Sequence, residues 1–281
     1  MQIGTTERTR VRSAWRLWLG KWYYTAKRYG VWWLRRGTYT TARTTDTLAI
    51  RVVQHQSVLV RPLQNALLHL QQNKIINLRI ASAAIDGVLI HPGEVFSLWY
   101  LVGMPTAAKG YLPGMVLVNG QVREGIAGGL CQLGNLLFWM LLHTPLTIAE
   151  RWRHSFDVFP DQNRTLPFGS GATLSYNYMD LQCVNNTAHT FQIRVWLDEE
   201  CLRGEVWCNT PLGHTYHVVE RNHEIRLQWW GGYSRHNELY RQCIDAQTGA
   251  IVHEELVVKN DALMMYNPLL NPPTERACPA E

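Results

Sequence analysis

The feature that most restricts the fold is Gly128-Gly129-Leu130-Cys131 followed at once by Gln132-Leu133-Gly134-Asn135-Leu136-Leu137-Phe138-Trp139-Met140-Leu141-Leu142-His143. A glycine pair ahead of so apolar a run predicts a tight turn feeding a buried helix, and the run is too short to cross a bilayer. The helix is expected to stop at His143-Thr144-Pro145, because proline disfavours helical geometry in the residue before it. Cys131 then stands at the helix N-terminus, where free N–H groups and the positive end of the dipole favour thiolate over thiol. Gly128 and Gly129 leave the approach to the sulfur clear of side chains.

A chain of 281 residues suffices for one large domain with appendages. The net charge of +5 is unevenly placed: residues 1–36 carry nine Lys/Arg and one acid, leaving 18 basic and 21 acidic residues in the rest. Basicity therefore belongs to an N-terminal arm, and a nucleic-acid-binding body is excluded. The six cysteines show no C-x-x-C pair and no zinc-knuckle spacing, so no metal or cofactor is expected, and scattered thiols suit a reducing compartment. The first thirty residues lack a signal peptide's apolar core, so the chain is expected in the cytoplasm or at the periphery of the inner membrane.

Along the chain, Trp15, Trp18, Leu19, Trp22, Tyr23 and Ala26 recur at helical spacing, with basic residues to their flanks. Two readings stand: residues 12–36 make peripheral contact with an anionic membrane, or the aromatic face packs on the body. A loop is expected from Gly30 through Thr47. A strand at Ser57–Val60 and a helical turn at Asn65–Leu70 precede a helix at Asn77–Asp86, with Asn77 as its cap and Gly87 as its terminator. Strands are predicted at 88–90, 95–99, 115–118 and 121–123, the last two joined by Asn119-Gly120, which favours a hairpin. Beyond a strand at 146–152 the chain reads as β-rich, with runs at 173–178, 181–184, 190–197, 202–208, 215–220, 224–230, 238–244 and 251–258. Cys183, Cys201, Cys208 and Cys243 fall in these strands as packing residues. The class is α+β: a central buried helix carrying Cys131 packs on antiparallel strands, and the C-terminal half is β-rich. Three regions are expected: a basic arm and loop at 1–45, a core domain at 46–210 and a C-terminal β extension with an irregular tail at 211–281.

Several segments together resemble the VanW family. They are Asn77-Leu78 to Asp86-Gly87, Pro92-Gly93-Glu94-Val95-Phe96-Ser97, Gly128-Gly129-Leu130-Cys131-Gln132, Asn135 to Trp139, His143 to Ile148, and Asp180-Leu181 followed by Asn185-Asn186-Thr187. Some VanW-domain proteins are peptidoglycan L,D-transpeptidases whose cysteine corresponds to Cys131. The resemblance implies a link to cell-wall or glycopeptide resistance, with a peptidoglycan stem peptide or wall precursor as partner. It also implies two-step acyl transfer through a thioester, with Cys131 as nucleophile and His154, matching the family histidine, as general base. The backbone N–H groups of Cys131 and Gln132 suit an oxyanion. The Gln132 side chain either caps the helix or donates to that oxyanion, and Asn135, one turn on, faces the same site. The family commonly has a third glycine where Ala127 stands, and an aspartate where Gly171 stands in Phe168-Gly169-Ser170-Gly171-Ala172-Thr173. Asp180 either replaces that acid or shapes a turn between strands. The rival reading is a non-catalytic accessory protein that binds a wall precursor or a resistance partner; a third is hydrolysis, with water as acceptor.

Overall fold

A computed structural model describes residues 13–60, 68–118, 121–153, 156–158 and 166–269. The predicted buried helix is α4 (Cys131–Leu142), apolar apart from Gln132 and Asn135 in its first turns, with Leu133, Leu136, Leu137, Phe138, Met140, Leu141 and Leu142 all buried. A helix apolar over most of its circumference belongs at the centre of a protein. It packs on β1 (Ile50–Val58) and β10 (Cys201–Cys208), which with β9 (Phe191–Leu197) and β2 (Val88–Ile90) form an antiparallel sheet in the order β1-β10-β9-β2. Close approach needs a bare position in the sheet: a Cβ on Gly204 of β10 would lie 2.6 Å from the Met140 methyl.

A second small sheet, β3 (Val95–Ser97), β8 (Gln182–Val184) and β6 (Thr147–Glu150), lies in the order β3-β8-β6. The expected strand at 95–99 stops at Ser97, whose hydroxyl accepts from the Tyr100 N–H at 3.2 Å and so starts the short helix α3 (Leu98–Val102). The expected hairpin is present as β4 (Pro113–Val118) and β5 (Gln121–Ile126), longer than expected and paired from Val118 with Gln121 to Pro113 with Ile126, its Asn119-Gly120 turn lying outside the described residues. The C-terminal half holds long antiparallel strands, β11 (His214–Leu227), β12 (Tyr233–Asp245) and β13 (Ile251–Met264), with β7 (Phe156–Asp157) added in parallel to β13. The two strands expected at 215–220 and 224–230 are one, bent where the register shifts between Arg221 and Glu224 and where Asn222 takes a φ of 53°.

Four further expectations are corrected. The strand expected at 57–60 is the end of β1, and the helix expected from Asn77 is α2 (Leu68–Ala83), with residues 61–67 outside the described set. Asn77 is therefore buried in the middle of a helix and caps nothing. The run 173–178 is no strand: it forms a loop closed by a bridge between Ser175 and Met179. The N-terminal helix α1 (Ala14–Leu34) continues through Gly30, where a loop was expected.

Candidate functional site around Cys131

Cys131 is the first residue of α4, as expected, but no side chain caps that helix. The turn before it is left-handed at Ala127 (φ 61°) and Gly129 (φ 92°), so Ala127 keeps a conformation that a glycine would adopt without steric cost. Between them the backbone of Gly128 crosses that of Gly114 in β4 so closely that a Cβ on Gly128 would lie 2.1 Å from the Gly114 carbonyl carbon.

α2 holds this crossing in place. The Asn77 amide donates to the carbonyls of Leu112 and Gly128, both at 3.0 Å, and its oxygen accepts from the Leu112 N–H at 2.8 Å. One turn earlier Asn73 donates to the Pro113 carbonyl at 2.8 Å. Lys74 lies under Gly129 and donates to the Leu59 carbonyl at 2.5 Å. Buried amides carry an unfavourable desolvation that only full hydrogen bonding offsets, so Asn77 sets the position of the turn as well as filling space. This role was hidden by the reading of Asn77 as a cap.

The Cys131 thiol lies 4.0 Å from the Leu174 carbonyl and is half-buried. Burial pushes its pKa up, against smaller opposing effects of the Leu174 carbonyl and its own backbone. Burial thus acts against the thiolate that the helix end is expected to favour. The Gln132 N–H is used within the turn by the Gly129 carbonyl at 3.0 Å. The Gln132 amide reaches Ser57 Oγ at 2.9 Å and the Val58 carbonyl at 2.8 Å, tying the end of β1 to the start of α4.

A strip of chain runs beside the first turns of α4. Asn135 accepts from the Ala172 N–H at 2.8 Å, Thr173 donates to the Trp152 carbonyl at 2.7 Å, and the Leu174 side chain covers Gly134. Arg151, which sequence reasoning missed, donates to the carbonyls of Gly171 (2.8 Å) and Gly169 (2.5 Å) and stacks on Phe138 at 4.8 Å. Burial lowers its pKa to about 10. Asn135 and Arg151 therefore fix the segment in which the family acid would stand. His154 lies outside the described residues.

Asp180 is fully buried and belongs to a different set of contacts. It accepts from Ser97 Oγ (2.6 Å), the Trp99 N–H (3.0 Å), the Leu181 N–H (2.8 Å) and Gln182 Nε2 (3.0 Å), so it joins β3, α3 and β8. Its own N–H donates to Glu150, the partner of Arg28 in α1 at 2.6 Å. Cys183, Cys201 and Cys208 are buried, whereas Cys243 is half-buried and lines a cavity of about 170 Å³ with Tyr216, Arg241 and His253.

A Cβ on Gly171 would come within 2.4 Å of Asn135 Oδ1. Gly171→Asp is accordingly expected to break the Asn135 to Ala172 bond and to cost about 1–3 kcal/mol. Chemical denaturation measures this, and Gly171→Asp combined with Asn135→Ala should recover part of the loss.

The family model described as VanW like protein matches residues 73–207. Vancomycin B-type resistance protein VanW of Enterococcus faecalis is 35% identical over 196 residues, covering 70% of this chain and 71% of that protein. Uncharacterized protein YoaR of Bacillus subtilis is 33% identical over 118 residues, which are 42% of this chain and 37% of that protein. No solved structure gives a significant match.

Proposed function

The chain belongs to the VanW family, and from that premise we propose that it is a cysteine acyltransferase of peptidoglycan stem peptides, of L,D-transpeptidase type, acting in vancomycin resistance. The observation that carries this reading is the turn at Cys131: a backbone crossing without room for a methyl group, an amide clamp from Asn77 and a left-handed Gly129 all serve to place one thiol at a helix start.

In the proposed reaction His154 takes the thiol proton, and the sulfur attacks the carbonyl carbon of the third stem residue. The bond to the terminal D-amino acid breaks, and its amine leaves with that proton. The resulting thioester is attacked by an amine of a second stem; the new C–N bond forms, the C–S bond breaks and the thiol is restored. A thiol whose burial disfavours the thiolate calls for a base in the first step, which is the part given to His154.

The raised thiol pKa and the engagement of the Gln132 N–H favour the second reading, an accessory protein that binds a wall precursor without turnover. Cys131→Ser separates the two. The acyltransferase reading expects release of terminal D-amino acid from a stem tetrapeptide to fall by about a thousand-fold or more, with an unchanged melting temperature. Binding of the peptide by both proteins, with release by neither, would establish the accessory reading.

A further inference from the structure

α1 is anchored to the body near its C-terminal end. Arg28 pairs with Glu150 at 2.6 Å and donates to the Asn177 carbonyl at 3.0 Å, the Tyr29 and Tyr176 hydroxyls meet at 2.6 Å, and the buried Trp32 ring lies edge-on to Tyr100 at 5.5 Å. The preceding turns project their aromatic residues into solvent: Trp15 is 62% exposed, Trp18 61%, Trp22 59% and Tyr23 64%. The aromatic face of this helix does not pack on the described body.

At 3.6 residues per turn, Trp15, Trp18, Leu19, Trp22, Tyr23 and Ala26 occupy an arc of about 140°. Arg28 and Trp32, which face the body, lie about a third of a turn away from its centre, whereas Tyr29, which also meets the body, continues the arc two turns beyond Trp22. From Trp15 to Tyr23 the arc is free, as the exposure of its side chains shows, and the body meets the helix only at the later turns. Exposed Arg16 and Lys27 border it on one side and Lys21 on the other, and no acidic residue occurs between Ser13 and Thr45. Four rings of this size left in water have an unfavourable hydration that a second apolar phase would relieve. The flanking charge selects a phase with a negative surface.

We propose that α1 lies on the surface of a bilayer containing anionic lipids, its Trp15, Trp18 and Trp22 rings at headgroup level and its Lys and Arg residues against lipid phosphates. Among the described residues no helix is long and apolar enough to cross a membrane, so the contact is one of lying on the surface. Such a contact would hold the Cys131 site at a fixed distance from the membrane, whichever reading of that site is correct.

The test is co-sedimentation of the full chain with vesicles of phosphatidylcholine alone and of phosphatidylcholine with phosphatidylglycerol. Partitioning into the mixed vesicles is expected to exceed that into neutral ones by about ten-fold and to weaken as salt is raised. Trp15→Ser, Trp18→Ser and Trp22→Ser together should lower it by about ten-fold with an unchanged melting temperature, since the rings touch solvent. Lys21→Glu with Lys27→Glu should lower it without removing any aromatic group. Absence of vesicle binding, or equal binding to both lipids at all salt concentrations, would overturn the proposal. So would a triple variant that binds vesicles normally but no longer self-associates in sedimentation equilibrium, which would assign the face to a second copy of the chain.

Discussion

Gly128→Ala is expected to destabilise the protein by about 3 kcal/mol or more, although it adds a single methyl group. The nearest atoms to the new Cβ are the carbonyl carbon and oxygen of Gly114, at 2.1 and 2.2 Å, and these are backbone atoms of β4. A flexible side chain would turn aside; a strand paired with β5 from Pro113 to Val118 has to move as a unit. Moving it also stretches the Asn77 bonds to Leu112 and Gly128, which lie in a buried setting where an unpaired amide costs about 1–3 kcal/mol. The urea midpoint should fall with an unchanged slope. Gly213→Ala, at a site with no atom within 4 Å of the new methyl, serves as the control and should leave the midpoint in place. Equal midpoints for the two variants would show that the crossing of the 114 and 128 backbones has room to open.

Asp180→Ala is expected to cost about 4 kcal/mol, because it strands four buried donors at once: Ser97 Oγ, the N–H groups of Trp99 and Leu181, and the Gln182 amide. Asp180→Asn keeps an acceptor for the two backbone N–H groups, while Ser97 and Gln182 can turn to present acceptors, so its cost should be smaller. The two proteins also differ in pH dependence. Burial pushes the Asp180 carboxyl up to about 6, against the lowering by its donors. In the unfolded chain it titrates near ~3.9. Between these values the folded protein holds a proton that the unfolded chain releases, so the contribution is complete at acid pH and is lost as pH rises through about 6. The stability difference between wild type and Asp180→Asn should therefore fall from about pH 4 to about pH 6 and be flat above. Parallel profiles would mean that Asp180 titrates as an open carboxyl.

What could be read from residues alone divides along physical lines. The buried helix at Cys131, the 113–126 hairpin and the closing hairpin of β12 and β13 follow from local signals, namely an unbroken apolar run and turn dipeptides between alternating strands. Asn77 was misplaced because a cap and a buried clamp use the same side chain. The signal that separates them was present: Gln71, Lys74, Asn77 and Ser82 are polar residues on the buried face of one helix. Such residues need partners, and those of Asn77 are the Leu112 and Gly128 backbones ahead of Cys131. The run 173–178 alternates like a strand, yet Asn135 takes the Ala172 N–H and the Trp152 carbonyl takes that of Thr173, so side chains and a neighbouring segment hold it where a ladder was expected. The place of Cys131 at the start of α4 is legible in sequence, and the burial of its thiol is not. A helix terminus is visible in sequence, whereas the Leu174 carbonyl that the sulfur meets comes from more than forty residues away.

The claim at the centre of this account is that Cys131 carries an acyl group in turnover. Intact-mass measurement of the full chain after incubation with a stem tetrapeptide tests it without reliance on a coupled assay. The account predicts a mass increase equal to the peptide less its terminal D-amino acid, lodged on the peptide containing Cys131, discharged by an added amine and absent from Cys131→Ser. A folded protein that binds tetrapeptide or pentapeptide yet stays at its unmodified mass, from mildly acidic to alkaline pH, would contradict it.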